Sequence, residues 1–275
     1  MPRAVLTSVH VYPVKSLAGH SPGEAAVEPW GLAGDRRWML ADPAGKVVTQ
    51  RQHARLALVH TELLDDGGVR VHAPGTDPLT VAPPGPGTAA EPVEVFTSRF
   101  EAVPAGTAAD AWFSDHLGAA VRLVHLDDPA RRRPVDPAYA RPGETVSLAD
   151  GYPLLITSTS SLDALNALIA QGDHADEGPL PMTRFRPNLV VEGAAPWAED
   201  DWRRIAVGEV TFRVARPCGR CVVTTTDQLT AERGKEPLRT LARHRRFGDQ
   251  LVFGQNLVPE HTGTVRVGDK LEVLD

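Results

Sequence analysis

Proline and glycine divide this chain so often that long elements are excluded before anything else is read. There are 24 of each among 275 residues. Proline removes a backbone donor and glycine weakens the interior of a helix or strand. The chain therefore favours many turns and short strands over a helix bundle. Between these breaks the first third shows the period of a strand. Val5, Thr7, Val9 and Val11 alternate with Leu6, Ser8, His10 and Tyr12, a two-residue repeat. Segments 37–41 and 46–49 flank Asp42-Pro43-Ala44-Gly45, a turn with proline at its second position. Segments 56–64 and 69–72 flank Asp65-Asp66-Gly67-Gly68 and read as a second hairpin. A Pro/Gly-rich loop covers 74–92. Short strands separated by turn chemistry suggest a small barrel or sandwich.

A helix is predicted over 107–117, with Thr107 as N-cap and Gly118 past its end. Segment 129–142 reads as a loop in which Arg131-Arg132-Arg133 forms a solvated face. Strand 154–157 runs into Ser158-Thr159-Ser160-Ser161, and Leu162, Leu165, Leu168 and Ile169 then recur at helical spacing. Ser160 and Asp163 resemble a capping box. Strands are expected at 189–192, 203–206, 210–215, 222–226, 251–258, 264–267 and 270–274, with a helix over 237–246. The fold class is mostly β with some helices (α+β). An N-terminal β-barrel-like domain over 1–115 precedes a second β-rich domain over 116–275.

Charge and cysteine content exclude several functions. Lys plus Arg is 29 and Asp plus Glu is 35, a net charge of −6. A globally acidic chain is not held on nucleic acid or anionic lipid by its overall field, although a local basic pocket is compatible with it. Two cysteines cannot supply a four-thiolate cluster or a four-cysteine zinc site. Residues 1–10 lack the apolar core of a signal peptide, and no run reaches the ~18 apolar residues of a membrane span. The chain reads as cytoplasmic, with reduced thiols. It has no Walker lysine loop, nucleophile elbow or zinc-protease histidine pair. Gly85-Pro86-Gly87-Thr88-Ala89-Ala90 fits a dinucleotide fingerprint only formally, because no strand precedes it and no helix follows.

Both cysteines lie in Arg216-Pro217-Cys218-Gly219-Arg220-Cys221-Val222-Val223-Thr224-Thr225. Spacing alone admits two small packed side chains, a redox pair, or a thiolate metal ligand with Arg220 favouring its charged form. The run Arg220-Cys221-Val222-Val223-Thr224-Thr225-Thr226-Asp227 resembles the cysteine segment of the MOSC family, the C-terminal domain of molybdenum cofactor sulfurases. The likeness continues through Lys235-Glu236-Pro237-Leu238, Phe253-Gly254-Gln255-Asn256 and Gly263-Thr264-Val265-Arg266-Val267-Gly268-Asp269. Upstream it includes Arg184-Phe185-Arg186-Pro187-Asn188-Leu189-Val190-Val191 and Ala198-Glu199-Asp200-Asp201-Trp202. Tyr12-Pro13-Val14-Lys15-Ser16 and Gly34-Asp35-Arg36 resemble the β-barrel domain that precedes MOSC in one subfamily. These motifs are collinear over nearly the whole chain, and they resemble in particular the mitochondrial amidoxime-reducing component and its bacterial relatives.

The resemblance implies a molybdenum cofactor, a pyranopterin dithiolene with one terminal phosphate, and places the metal ligand and catalytic residue at Cys221. Lys15, Ser16, Arg36, Arg186 and Asn188 match cofactor-contacting positions, and Arg220 and Asn256 would flank metal and pterin. Ser158 and Thr159, at a helix start, offer backbone N–H groups to a phosphate. Cys218 reads as a packed or supporting residue. The implied activity is reduction of amidoximes, hydroxylamines and related N-hydroxylated compounds. Electrons would come from an external ferredoxin, flavoprotein or cytochrome, since the chain ends at Asp275 with two cysteines. Persulfide transfer through Cys221 and non-catalytic molybdopterin carriage are the competing classes. Arg36 and Arg186 gripping one anion would join the two domains, with the N-terminal barrel loosening first in the cofactor-free protein.

Overall fold

The computed structural model describes residues 4–136 and 138–275, the side chains of Arg131 and Arg132 excepted. Residues 1–3 of the stretch read for a leader, Pro137, and the side chains of Arg131 and Arg132 from the arginine run lie outside the described residues. The architecture is mostly β. The largest sheet runs in the order Val5–Val9, Leu189–Glu192, Leu154–Ser158, Gln250–Pro259, Val210–Gly219, Arg204–Val207, Leu271–Val273. A bridge between Val5 and Lys270, with Leu271 N donating to Ala4 O at 2.8 Å, brings its two ends together into a nearly closed barrel. Leu6, Val9, Ile156, Leu189, Phe212 and Leu257 fill its interior.

A second sheet joins Val47–Val48, Trp38–Ala41, Arg122–His125, Ser98–Pro104 and Glu91–Val95. The Asp42 turn works as its chemistry predicts: Asp42 Oδ1 accepts from Ala44 N and Lys46 N, both at 2.9 Å, and Leu40 pairs with Val48. The helix Thr107–Leu117 covers this half with Ala109, Phe113 and Leu117, which share one face. Full burial of Phe113 alone contributes about 1.5–3 kcal/mol. Gly118 closes the helix at φ 65°, but the N-cap is Gly106 rather than Thr107, and it has no side-chain cap. A three-stranded sheet of His60–Leu63, Val69–His72 and Leu79–Val81 completes this half.

Strand pairing does not follow a single cut in the chain. Val5–Val9 sits in the large sheet beside Leu189–Glu192, and Glu24–Glu28 pairs with Gly263–Arg266. The division at 115/116 remains our proposal for domain bounds, and across it strands are exchanged.

Further local expectations need correction: the stretch 74–92 read as loop contains the strand Leu79–Val81, and the stretch 129–142 read as loop begins with the short helix Pro129–Arg132. Residues Ala54–Leu58 form a 3-10 helix, so the second hairpin begins at His60. Val222–Thr225 is a 3-10 helix, not a strand. Thr224 Oγ1 donates to Cys221 O and Thr225 Oγ1 to Val222 O, each at 2.9 Å, and these bonds close the turn against the β preference of the branched residues. Arg133 is 2% exposed rather than solvated, and donates to Ser147 O and Asp150 O, both at 2.8 Å, and to Ala149 O.

Gly254 interrupts Gln250–Pro259 with φ 77°, and a Cβ there would lie 2.7 Å from Ile156 O. It coincides with the register shift between Pro217 and Gly219 on the neighbouring strand. Gly254→Ala is expected to cost about 1–3 kcal/mol, read as a lower denaturation midpoint with unchanged slope. An unchanged midpoint would show that the bulge tolerates a side chain.

Candidate functional site

Adjacent strands of the large sheet set one row of the site. Leu155 pairs with Asn256, and Asn256 with Arg216. Register shifts flank Arg216, one between Val214 and Arg216 and one between Pro217 and Gly219, and the strand ends at Gly219. Arg220 N donates to Leu251 O at 2.7 Å, so the chain stays tied to the neighbouring strand, and Cys221 then caps the 3-10 turn. The N-terminal half supplies the facing wall. Lys15 N donates to Trp38 O at 2.8 Å, Arg36 N to Tyr12 O at 2.8 Å and Tyr12 N to Asp35 Oδ1 at 2.8 Å. These bonds fix the two loops that carry Lys15, Ser16 and Arg36.

The resulting cavity has a volume of about 280 Å³. Lys15, Ser16, Arg36, Arg186, Asn188, Arg220, Cys221 and Asn256 all line it, as does Cys218. Ser158 and Thr159 do not. Ser158 is fully buried at the start of the helix Thr159–Ile169, with its Oγ 2.7 Å from Ser160 Oγ rather than capping a backbone N–H. The Ser160–Asp163 box is likewise displaced, because Ser158 is the N-cap and Ser160 Oγ donates to Ala194 O at 2.8 Å.

The lining is cationic in a chain that is acidic overall. Lys15, Arg36, Arg51, Arg186, Arg216 and Arg220 face a single lining carboxylate, Asp150. Asp150 bonds Lys15 Nζ through one oxygen and Arg51 Nη2 through the other, the latter at 3.2 Å. Burial alone would raise its pKa, but Lys15 and Arg51 reverse this and hold it well below the usual carboxylate range. Lys15 is lowered to about 8, chiefly by burial and against the opposing pull of Asp150. Its Nζ also donates to Leu148 O at 2.8 Å.

Arg36 and Arg186 flank the buried ring of Tyr12, with guanidinium carbons 4.7 and 4.3 Å from its centroid. Arg36 donates to Asp35 Oδ2 at 2.5 Å, Asn188 Oδ1 at 3.1 Å and Arg186 O at 3.2 Å. Burial would lower its pKa, but Asp35 more than offsets that. Arg186 is lowered to about 10 by burial, and its Nη2 is buried without a hydrogen-bond partner, as is Tyr12 Oη. Ser16, Arg36 and Arg186 all carry left-handed backbone, at φ 70°, 49° and 53°. Such conformations cost free energy in non-glycine residues and concentrate where ligands are held.

The two thiols have different neighbours. Arg220 Nη1 lies 2.9 Å from Cys218 Sγ, while Arg51 Nη2 lies 3.4 Å from Cys221 Sγ. Arg220 therefore does not serve Cys221 as its adjacency suggested. Arg51, Asp150 and Arg216 are the site residues that sequence reading missed. Among the described residues no group of three His, Cys, Asp or Glu side chains could hold a metal ion. A metal at Cys221 must bring its other ligands with it. One soft sulfur donor, surrounding cations and an unpartnered guanidinium nitrogen fit an anionic metal chelate.

A model of the MOSC N-terminal beta barrel domain matches residues 3–120, and one of the MOSC domain matches 143–272. The chain is 34% identical to mitochondrial amidoxime-reducing component 1 of Homo sapiens over 282 residues, covering 96% of this chain and 81% of that protein. It is 30% identical to a molybdenum cofactor sulfurase of Oryza sativa subsp. japonica over 265 residues, covering 90% of this chain and 32% of that longer protein. Among solved structures, the YuaD protein of Bacillus subtilis superposes with a TM-score of 0.44 at 12% identity, covering 98% of this chain and 96% of that one. That superposition is too loose to argue from.

Proposed function

The chain belongs to the MOSC family, with an MOSC N-terminal beta barrel domain ahead of its MOSC domain, and from that premise we propose that it is a molybdenum-cofactor-dependent reductase of N-hydroxylated compounds. One observation carries the reading. The thiol of Cys221 opens into a cavity lined by Lys15, Arg36, Arg51, Arg186, Arg216 and Arg220 in a chain of net charge −6. When bound, the cofactor supplies two-electron chemistry that removes oxygen from an N–O bond. Cys221 would ligate the metal, and Lys15, Arg36 and Arg186 would hold the cofactor's anionic groups in bidentate or charge-assisted hydrogen bonds. Asn188 is positioned by its own network, Nδ2 donating to His10 O at 3.1 Å. An external ferredoxin, flavoprotein or cytochrome would restore the two electrons consumed by each turnover. No helix among the described residues is long and apolar enough to cross a membrane. The proposal places the chain in the cytoplasm and takes the one-phosphate pterin form, since no dinucleotide fingerprint accompanies the cavity.

The test is metal and pterin analysis of protein purified from a host competent in molybdenum cofactor synthesis, followed by amidoxime reduction with a chemical electron donor. Stoichiometric molybdenum with turnover supports the reading. A persulfide on Cys221 without metal would select sulfur transfer, and bound cofactor with ready release and no turnover would select a carrier.

Lys15 makes the anion site pH-dependent. Its pKa in the ligand-free fold is about 8, below the usual value of 10.5. Below pH 8 it is protonated in both folded and unfolded chains, so its burial opposes folding there. That penalty fades as pH rises from about 8 toward 10.5. A phosphate bound beside Lys15 favours the protonated amine and raises its pKa. Affinity of the cofactor-free protein for inorganic phosphate is therefore expected to fall above pH 8, by up to about tenfold per pH unit from this group. Calorimetric titration at several pH values tests this. Lys15→Met should weaken binding at pH 7 and remove that component of the pH dependence. An unchanged profile would take Lys15 out of the anion site.

A further inference from the structure

The hairpin between Glu91–Val95 and Ser98–Pro104 turns in two residues, Phe96 and Thr97, with Val95 paired to Ser98. Its first loop residue has φ 54°. Glycine is the ordinary occupant of a positive-φ position in such a loop, and a bulky side chain there is an outlier. Phe96 holds this conformation while leaving its side chain in the open, 47% exposed. Hairpin stability does not account for an exposed aromatic at a strained site, because glycine or asparagine would serve the turn better.

The position of the ring supplies a reason. The Arg51 guanidinium carbon lies 4.8 Å from the Phe96 centroid, and Arg51 Nη2 lies 3.4 Å from Cys221 Sγ. Phe96 is thus one side chain away from the thiol, across the guanidinium. Val222, which follows Cys221, is 38% exposed. The charged groups lining the cavity are cationic apart from Asp150, and Phe96 and Val222, outside that lining, add exposed apolar surface beside Arg51 and Cys221. We propose that Phe96 is a specificity-determining residue, its ring, with Val222, receiving the aromatic or apolar body of a substrate whose polar N–O end reaches Cys221. The inference rests on the reductase reading for the identity of that polar end, but the placement of the ring across Arg51 from the thiol is independent of it.

An aromatic surface favours an aryl body over a methyl group through stacking. Two variants separate this role from a structural one. Phe96→Gly relieves the backbone strain and deletes the ring, whereas Phe96→Tyr retains the ring. In the cofactor-loaded enzyme, Phe96→Gly is expected to raise KM for an aryl amidoxime by roughly three- to tenfold. Its kcat, and the KM for the corresponding methyl amidoxime, should stay near wild type. Phe96→Tyr should retain the aryl preference. A second experiment uses cofactor-free protein. Cys221 and Cys218 are alkylated with N-phenyl iodoacetamide or with iodoacetamide, and each modified peptide is quantified by mass spectrometry. Phe96→Gly should lose the phenyl preference at Cys221 and leave the ratio at Cys218 unchanged. Equal changes for aryl and methyl substrates, or an unaltered phenyl preference at Cys221, would overturn the proposal. Loss of turnover in every form, with the alkylation result as expected, would refute the reductase reading and leave the aromatic rim in place.

Discussion

Cys221→Ser is expected to abolish molybdenum retention, and reductase turnover with it, in a protein that melts within about 2 °C of cofactor-free wild type. Among the described residues the thiol's one side-chain hydrogen bond, from Arg51 Nη2 at 3.4 Å, is to a weak sulfur acceptor and only partly buried. Little folding free energy is therefore tied to the sulfur. A hydroxyl of nearly the same shape keeps that contact but is a poor ligand for a soft metal. Cys218→Ser provides the contrast. Its sulfur lies 2.9 Å from Arg220 Nη1, and a hydroxyl can accept the same bond. Arg220 is also held by Phe185 O at 2.5 Å, so most activity should survive. Metal content per chain, measured with thermal unfolding, decides the matter. Stoichiometric molybdenum in Cys221→Ser would remove the ligand assignment. Loss in both variants would move the site toward a shared two-thiol arrangement.

Local chemistry made part of this structure readable. The turn at Asp42, the helix Thr107–Leu117 and the strand Leu189–Glu192 each depend on residues within a few positions of one another. The site was readable only where collinear motifs marked it. Lys15, Arg36, Arg186 and Cys221 lie within such motifs, and the fold brings them to one cavity. Arg51 reaches Cys221 across 170 positions, and no nearby spacing records that approach. Asp150 is placed by the backbone that Arg133 grips, an arginine whose sequence context looked solvated. The threonines after Cys221 misled because their β preference is generic, whereas the side-chain bonds that bend them into a turn are specific to this setting. Ser158 and Thr159 do begin a helix, but tertiary packing places the serine against Ser160 and away from the cavity.

Arg36 and Arg186 are expected to have opposite effects on the cofactor-free protein and the same effect on the loaded one. They lie 150 positions apart, yet Arg36 Nη2 donates to Arg186 O. Arg36 also neutralises Asp35, which is fully buried and accepts from Tyr12 N through its other oxygen. Arg36→Ala strands that carboxylate, and breaking a buried pair from one side costs about 3–5 kcal/mol. At about 2–4 °C per kcal/mol, the melting temperature should fall by roughly 6–20 °C. Arg186 is different. Its Nη2 has no partner, and burial lowers its pKa to about 10, so the empty site carries an unsatisfied charge that Tyr12, Asp35 and Asp150 only partly offset. Arg186→Gln should therefore leave the cofactor-free protein as stable as wild type, or more stable by about 1 kcal/mol. Both variants should lose cofactor, because each removes a charge-assisted bond of order 1.5–3 kcal/mol. In wild type, binding should stabilise the fold by roughly 4 kcal/mol at a ligand concentration a thousandfold above Kd. The N-terminal barrel is no longer expected to loosen first. Val5–Val9 is paired within the large sheet and Glu24–Glu28 pairs with Gly263–Arg266, so the cofactor-free chain should melt in one transition. Calorimetry of loaded and cofactor-free forms, with molybdenum measured for each variant, provides the test. Full occupancy in Arg186→Gln would take that arginine out of the anion site, and two separate transitions in the cofactor-free chain would show that the exchanged strands do not couple the two halves.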